Sequence, residues 1–338
     1  MATPKISIAD IARQAGVSAA TVSRVFNHPE LVNQGTIQLI MDTMEQLNYA
    51  PRSEKKRSER RLALINIPNF SNPFYDQVLK GIITSLENHE INTLINTDNL
   101  RDEQAMTRFL ETARSTKACG VITCSHLREQ HYAQLAALTP IVQCCEYTSE
   151  EYSYVSIDDF QAAYGAMEHI YSQGCEKIAF VNGPLEYKYA QERRRGYEAF
   201  LKQMGLPVNP SWIVQLPDID YDMGFAAIRQ ILTSSTPPDA IFAVSDLVAA
   251  AALRAAKSLQ INVPQNLVVV GFDNIHLSTI CDPSITTVSQ PRFQMGYTAG
   301  EMLYDQVISP QSCPQKILLN TELIIRDSSS HIRSIPSS

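Results

Sequence analysis

The 338-residue chain lacks a long hydrophobic run. No stretch approaches the roughly 18–20 consecutive apolar residues that a membrane span requires, and the initial Met-Ala-Thr-Pro-Lys lacks the apolar core of a secretory signal. We therefore expect a cytoplasmic protein with no membrane partner. The seven cysteines form an odd set without Cys-x-x-Cys spacing, which in that compartment predicts reduced and mostly buried thiols.

The chain also lacks the short motifs of the common enzyme classes. It has no Gly-x-Ser-x-Gly elbow, no Walker loop and no Gly-x-Gly-x-x-Gly turn. Its seven histidines show no spacing typical of metal ligands, and isolated examples such as His126 and His131 are expected at the surface. The sequence therefore predicts neither an enzyme nor a metal site, and it implies no cofactor.

Excess positive charge, which is common in nucleic-acid-binding proteins, is missing from the chain as a whole, whose net charge is −7. The charge is unevenly distributed. Residues 1–61 carry nine Lys and Arg against six Asp and Glu, a net charge of +3, whereas residues 62–338 carry nineteen against twenty-nine, a net charge of −10. DNA would therefore be approached by the N-terminal end alone, with an affinity that falls as the salt concentration rises.

The N-terminus contains the pattern of two short helices joined by a tight turn. After the N-cap candidate Ser7, apolar residues recur at helical spacing until Gly16, which can end the helix in a left-handed conformation. Ser18 can cap a second helix that turns Val22 and Val25 inward and leaves small, polar or basic residues on its other side. Such a face can enter a major groove, although a helix pair of this kind could also serve packing alone.

The residue string of this segment is more specific than its periodicity. From Ala9 it runs Ala-Asp-Ile-Ala-x-x-Ala-Gly-Val-Ser-x-x-Thr-Val-Ser-Arg-Val-x-Asn, which closely resembles the headpiece of the lactose/galactose repressor (LacI/GalR) family. Residues 32–51, which end Leu-Asn-Tyr-Ala-Pro, resemble the third helix and the exit of the same headpiece. The resemblance implies a DNA-binding transcriptional repressor.

The resemblance also implies how DNA is contacted. A homodimer would read the half-sites of a palindromic operator, since one short recognition helix reads too few base pairs for genomic specificity. Arg24 is expected to contact bases. Ala19 and Ala20 occupy positions that set operator preference in the family, but their methyl side chains can only touch thymine methyl groups or allow the helix to approach the DNA closely. The residues expected to hold phosphates are Ser18, Thr21, Ser23, Asn27, Asn33 and Tyr49.

A basic segment, residues 51–61, follows the headpiece. Between Arg52 and Arg61 it contains six bases, two acids and no large apolar side chain, which suits either a solvated linker or a basic tether near DNA phosphates, and we favour the tether. Members of the family usually carry a leucine here that wedges into the minor groove. Arg57 or Ser58 stands near its place, so we expect a more flexible, electrostatic hinge.

From Leu62 onward, apolar runs of strand length alternate with helical stretches. Five such runs lie between residues 62 and 157, and four more lie between residues 177 and 272. The alternation predicts parallel sheets covered by helices, and its repetition predicts two similar halves. The serine-rich tail from Ser328 to Ser334 is expected to be disordered.

The predicted fold is therefore an all-α helix-turn-helix headpiece and an α/β core of two doubly wound parallel-sheet subdomains, arranged as in periplasmic sugar-binding proteins. The predicted domains are the headpiece at 1–50, the hinge at 51–61, one core subdomain at 62–158 with 292–320, and the other at 159–291 with 321–338.

Ligands of such open sheets bind at the carboxyl ends of the strands. Segments at those ends resemble the effector cleft of the family, which implies that Phe74 and Tyr75 form aromatic walls and that Arg193 and Asp273 bind hydroxyl groups. The remaining candidates are Asp158, Ser245 and Gln290. Without the resemblance, Arg193 and Asp273 would equally suit structural salt bridges or caps, and Phe74 would suit the core.

The segments 272–275, 281–283, 286–292 and 322–326 are most similar to cytidine-responsive members of the family from enteric bacteria. They imply a nucleoside effector ahead of a sugar. Ile219 stands where some purine-binding members place an aromatic residue, so the ligand face differs there. We expect the effector to lower operator affinity, with co-repression as the alternative that the sequence leaves open. The alternatives are a sugar-responsive repressor of the same family and a solute-binding protein without a regulatory role.

Overall fold

The computed structural model describes residues 8–27, 32–47 and 61–330, without the side chains at positions 8, 9, 20, 23, 26, 27 and 45. The chain divides into two compact units between Arg60 and Arg61. Residues 51–60 of the predicted hinge therefore lie outside the described residues, as does Tyr49. None of the described helices is long and apolar enough to cross a membrane.

The described part of the first unit consists of three helices, α1 (Ile8–Gln14), α2 (Ala19–Asn27) and α3 (Gln34–Gln46). Gly16 lies between the first two with a left-handed φ of +66°, and the Ser18 hydroxyl accepts a hydrogen bond from the Thr21 backbone N–H at 3.0 Å. The small core of this unit contains Ile11, Ala12, Ala15, Val22, Val25, Ile40 and Met44. The predicted helix pair, its glycine turn and its serine cap are confirmed.

The second unit contains two six-stranded sheets. The strands of the first sheet are β1 (Leu62–Asn66), β2 (Asn92–Asn96), β3 (Gly120–Thr123), β4 (Ile141–Cys144), β5 (Ser153–Ile157) and β11 (Lys316–Leu319). They lie in the order β11-β5-β4-β3-β1-β2, and every neighbouring pair is parallel. The helices that alternate with these strands are α4 (Tyr75–Asn88), α5 (Glu103–Ser115) and α6 (Glu129–Ala136).

The strands of the second sheet are β6 (Ile178–Asn182), β7 (Ile213–Gln215), β8 (Ala240–Ala243), β9 (Val268–Asp273), β10 (Thr286–Ser289) and β12 (Glu322–Ile324). Their order is β12-β10-β9-β8-β6-β7, and only β12 is antiparallel to its neighbour. The helices of this half are α7 (Asp159–Ser172), α8 (Lys188–Met204), α9 (Tyr221–Leu232), α10 (Asp246–Ser258) and the short α11 (Leu277–Ile280).

The chain passes between the two sheets three times. It leaves the first sheet after β5, returns after β10 through α12 (Arg292–Ile308), and crosses again between β11 and β12. Strands in both sheets are apolar on both faces, because helices cover both: Ala63 and Ile65 pack with α4 and α12, whereas Leu64 packs with Phe109 of α5. The predicted pair of doubly wound, mostly parallel sheets is confirmed.

Two predictions about surface segments are wrong. Ser328 and Ser329 belong to the tail that the sequence predicts to be disordered, yet both are fully buried. The Ser328 hydroxyl donates to the Val269 carbonyl at 2.6 Å, and the Ser329 hydroxyl lies 2.6 Å from that of Thr286, so the two serines satisfy polar groups of the second sheet. His131 is also buried, on the inner face of α6.

Candidate functional site

A cavity of about 270 Å³ lies between the two sheets and is lined by residues from both halves. This volume is near the lower end of the roughly 300–1,000 Å³ that small-molecule pockets span, which suits a ligand of the size of a monosaccharide or a nucleoside. The predicted effector residues that line the cavity are Phe74, Tyr75, Arg193, Asp273 and Gln290.

Asp273, the last residue of β9, is a buried hydrogen-bond acceptor in this cavity. Its φ of +105° is strained for a residue other than glycine. Gln290 Nε2 donates to its Oδ1 at 2.7 Å, which leaves Oδ2 for a ligand. Burial raises the pKa of Asp273 to about 7, although nearby Arg193 and Arg292 oppose the shift. The carboxyl group therefore holds its proton to a higher pH than an exposed aspartate does.

Arg193 on α8 lines the same cavity, but most of its guanidinium is bound to the protein. Nε donates to Asp159 Oδ1 at 2.9 Å, and Nη1 donates to the Val244 carbonyl at 2.6 Å. The guanidinium carbon also lies 3.5 Å from the centroid of the Phe272 ring. The salt bridge that the sequence left open as an alternative is thus present, and Nη2 is the nitrogen that remains for a ligand.

Aromatic rings from both halves line the cavity. Phe74 and Tyr75 meet edge to face with 5.1 Å between ring centroids, and Tyr187 and Tyr189 stack at 5.4 Å with 24° between their planes. Phe74 also belongs to the hydrophobic core, so its two possible roles coexist. The sequence analysis missed both Tyr187 and Tyr189. The available signal was their position shortly after Gly183-Pro184, a segment that resembles the family.

Polar contacts join the two halves beside the cavity. Glu146, buried just after β4, accepts hydrogen bonds from the backbone N–H groups of Lys188 and Tyr189 at the start of α8. A carboxylate in that position is favoured by the helix dipole. Arg101 from the first half pairs with Glu186 from the second. The sequence analysis missed Glu146 because its partners are more than forty residues away along the chain.

The structure corrects two of the predicted effector residues. Asp158 and Ser245 do not line the cavity, because each caps the helix that follows its strand. Asp158 Oδ1 accepts from the Gln161 N–H at 2.9 Å, and Ser245 Oγ accepts from the Val248 N–H at 3.3 Å. The residue after the first cap, Asp159, is the one that reaches the cavity, where it pairs with Arg193.

The predicted DNA-contact residues of the headpiece lie on and around α2. Ser18, Ala19, Arg24 and Asn33 are exposed, and Thr21 is partly buried. Asn33 Oδ1 accepts a hydrogen bond from the Thr36 N–H at 2.8 Å, so it caps α3. The side chains of three further candidates, Ala20, Ser23 and Asn27, lie outside the described residues.

An Asp273→Asn substitution should make the free energy of unfolding less dependent on pH. The pKa of Asp273 is about 7 in the folded protein and near 4 in an unfolded chain, so the folded state holds this proton more tightly. Raising the pH through this window therefore costs stability, and the cost is complete above the folded pKa. Relative to wild type, we expect the variant to gain stability between about pH 5 and about pH 8 in urea unfolding.

An exposed acid on α9, Asp222, supplies the control, because Asp222→Asn should leave the pH dependence unchanged. Burial and the Asp273 charge also raise the pKa of Asp246, so the free energy of unfolding of the Asp273→Asn variant still depends on pH to some extent. If the free energies of unfolding of wild type and Asp273→Asn change equally with pH, then Asp273 has the same pKa in the folded and unfolded states and the prediction is wrong.

Comparison with known proteins gives two family matches, one within each of the two units. Residues 7–52 match the family described as "Bacterial regulatory proteins, lacI family", and residues 167–329 match a "Periplasmic binding protein-like domain". The chain is also similar to the HTH-type transcriptional repressor CytR of Escherichia coli strain K12. The two are 33% identical over 333 residues, which cover 97% of this chain and 96% of that repressor.

Two solved structures extend the similarity to three dimensions. The transcriptional regulator CelR in complex with cellobiose has a TM-score of 0.73 and 28% identity, and the match covers 96% of this chain and 100% of CelR. The lac repressor dimer bound to operator and the anti-inducer ONPF has a TM-score of 0.74 and 22% identity, covering 96% and 99% of the two chains. The second match concerns the fold.

Proposed function

Because this chain belongs to the LacI family of bacterial regulatory proteins, as a DNA-binding transcriptional repressor and not an enzyme, we propose that a nucleoside such as cytidine, bound in the core cavity, controls its operator affinity. Repressors of this family bind operator DNA and small-molecule effectors. The proposal concerns the chemical class of the effector and the residues that hold it.

The observation that carries the proposal is the grouping of polar and aromatic side chains in the cavity. Asp273, Gln290 and Arg193 cluster together, and they can accept from and donate to the adjacent hydroxyls of a ribose. Tyr187 and Tyr189 line the same cavity, and their stacked rings add aromatic surface against which a base can pack. A nucleoside, which joins a hydroxylated ring to a flat base, would use both kinds of side chain.

On the DNA side, we assign operator reading to the exposed face of α2, with Arg24 contacting bases. Ala19 and Ala20 would lie against base edges, and the backbone phosphates would be held by Ser18, Thr21, Ser23, Asn27, Asn33 and Tyr49. Two copies of the chain, joined through their cores, would place two such helices on the half-sites of a palindrome. The net charge of −10 on residues 62–338 favours this orientation, because the core repels phosphate.

Effector and operator would be coupled through the geometry of the two core halves. If the nucleoside prefers an arrangement of the halves that misplaces the headpieces, it lowers operator affinity, and the operator lowers nucleoside affinity by the same factor. Glu146 and Arg101 belong to the contacts that would reorganise, since each links one half to the other. We propose that the nucleoside acts as an inducer, and the alternative is a co-repressor that favours the arrangement that binds operator.

A ligand screen on the full-length protein tests the proposal. Cytidine, uridine and adenosine are compared with ribose, glucose and cellobiose by thermal shift, because a ligand that binds only the folded state raises Tm. Each ligand that binds is then added to the operator complex, and operator affinity is measured by fluorescence anisotropy. We expect a nucleoside to raise Tm and to release the operator. A response to a hexose without any to a nucleoside would establish the sugar alternative instead.

A further inference from the structure

Three cysteine thiols meet at one side of the cavity. The Sγ atoms of Cys124, Cys144 and Cys145 all lie within 4.8 Å of one another, and those of Cys144 and Cys145 are 3.7 Å apart. Among the described residues, no other group of three or more His, Cys, Asp or Glu side chains comes together in this way. Ligand spacing along the sequence gave no sign of this cluster, since nineteen residues separate Cys124 from Cys144.

The register of two parallel strands brings the first two thiols together. β3 and β4 pair Thr123 with Gln143, so Cys124 and Cys144 are the next residues along and lie on the same side of the sheet. Cys145 would face the opposite side in a regular strand. Its φ of +68° interrupts the alternation, and its side chain packs against the same core cluster as the other two.

The three thiols are close enough to share one ion. Cys144 Sγ and Cys145 Sγ lie within hydrogen-bonding distance of each other at 3.7 Å, and Cys124 Sγ lies within 4.8 Å of both. Three sulfurs at this spacing can exchange their protons for one soft cation.

The site can be reached from the cavity. Cys124 and Cys145 both line it, so an ion that enters the cavity arrives beside the cluster.

We propose that Cys124, Cys144 and Cys145 form a three-thiolate site for the soft cation Cu(I). With a metal–sulfur distance of about 2.3 Å, three sulfurs in a plane around one ion lie about 4.0 Å apart, close to the spacing seen here. Thiolates select soft cations, and a closed tetrahedral Zn²⁺ site would need a fourth protein ligand, whereas no further His, Cys, Asp or Glu side chain joins this group among the described residues. On binding, three Cu–S bonds form, the thiol protons pass to solvent, and no electron is transferred.

Anaerobic titration of the reduced, full-length protein with Cu(I) tests this site. With the coloured chelator bathocuproine disulfonate as competitor, we expect the protein to withhold one Cu(I) per chain and to develop thiolate-to-copper charge-transfer absorption. Its affinity should rise with pH, because the thiols must lose their protons. Changing any one of the three cysteines to serine should weaken binding at least about tenfold, since a hard hydroxyl replaces a soft ligand.

The other cysteines provide a matched control. A variant that carries serine at positions 119, 175, 281 and 313 keeps the cluster and should bind Cu(I) as wild type does, whereas the triple variant C124S/C144S/C145S should not. Failure of wild type to compete with the chelator, retention of one Cu(I) by the triple variant, or tighter binding of Zn²⁺ than of Cu(I) would overturn the assignment.

A second measurement does not depend on the folding of variants. Cu(I) bound to wild-type protein should protect Cys124 and Cys145 from alkylation by N-ethylmaleimide, read out by mass spectrometry, while exposed Cys313 continues to react. Equal alkylation of the cluster with and without Cu(I) would also overturn the proposal. Neither experiment uses operator or nucleoside, so their outcomes are independent of the proposed effector.

Discussion

An Arg24→Ala substitution should abolish operator-specific binding by the full-length protein while leaving ligand binding in the core intact. Arg24 is exposed and is the only lysine or arginine on α2. Its neighbours on the helix include Ala19, whose methyl group can contact thymine but cannot form a hydrogen bond with a base. A guanidinium can donate two hydrogen bonds to one guanine, so we expect Arg24 to carry much of the base discrimination of this helix.

The expected loss is large because the dimer would use the contact twice. A bidentate base contact contributes about 1–3 kcal/mol of discrimination, so two headpieces together should lose about 2–6 kcal/mol, or at least about thirtyfold in affinity. Operator DNA selected by wild type and a scrambled duplex would be compared by fluorescence anisotropy at one salt concentration, because phosphate contacts make every affinity salt-dependent.

Arg13→Ala is the matched control. Arg13 is exposed on α1 and pairs with Asp10 at 3.5 Å, so its removal takes the same charge from the headpiece without touching the proposed recognition helix. We expect Arg13→Ala to lower the affinities for operator and for scrambled DNA by similar factors. If Arg24→Ala leaves the ratio of the two affinities at the wild-type value, the assignment of base reading to Arg24 is wrong.

The fold could be predicted from sequence because its signals are local. The Gly16 turn and the Ser18 cap each depend on a residue and its immediate neighbours, and both have the predicted geometry. Strand and helix periods are equally local. The five apolar runs predicted between residues 62 and 157 correspond to β1 to β5, and the four predicted between residues 177 and 272 correspond to β6 to β9.

The site could be predicted only in part because its remaining residues depend on tertiary placement. Whether Asp158 or Asp159 faces the cavity is decided by the capping geometry of α7, which composition does not reveal. Glu146 becomes a site residue only because α8 of the other half begins against it. Ser328 lies in a serine-rich segment that suggests a flexible tail, and its burial depends on a distant partner in the sheet, the Val269 carbonyl.

The thiol cluster also could not be predicted from the sequence. Metal sites are recognised in sequence by short spacings within one loop or one helix face, and Cys124 and Cys144 have no such spacing. Their proximity follows from strand register, which pairs residues at the ends of β3 and β4. A sequence pattern can predict each strand but not which of its residues face one another.

An Asp273→Ala substitution should remove the nucleoside response of the repressor and spare operator binding itself. The variant loses the acceptor for a ribose hydroxyl, and it also leaves Gln290 Nε2 without the partner that it has at 2.7 Å. A hydrogen bond to a charged group contributes about 1.5–3 kcal/mol, so nucleoside affinity should fall by about 10- to 150-fold. Calorimetry with cytidine, or with whichever nucleoside binds wild type, measures the loss.

Two further substitutions separate the causes of this loss. Asp273→Asn keeps an acceptor for Gln290 but removes the ionised form, so its affinity should lie between those of wild type and Asp273→Ala. Asp158→Asn changes an exposed acid that lies outside the cavity lining, and asparagine preserves the N-cap of α7, so nucleoside affinity should not change. Wild-type nucleoside affinity in Asp273→Ala would exclude Asp273 from the ligand site.

The reciprocity of linkage gives the same experiment a second readout. If nucleoside and operator favour different arrangements of the core halves, operator-bound wild type must bind nucleoside more weakly than free protein, by the factor with which nucleoside lowers operator affinity. In Asp273→Ala, nucleoside at its wild-type working concentration should leave the operator complex undisturbed, because the cavity is then largely empty. Release of the operator at that concentration would mean that the nucleoside acts from a site other than this cavity.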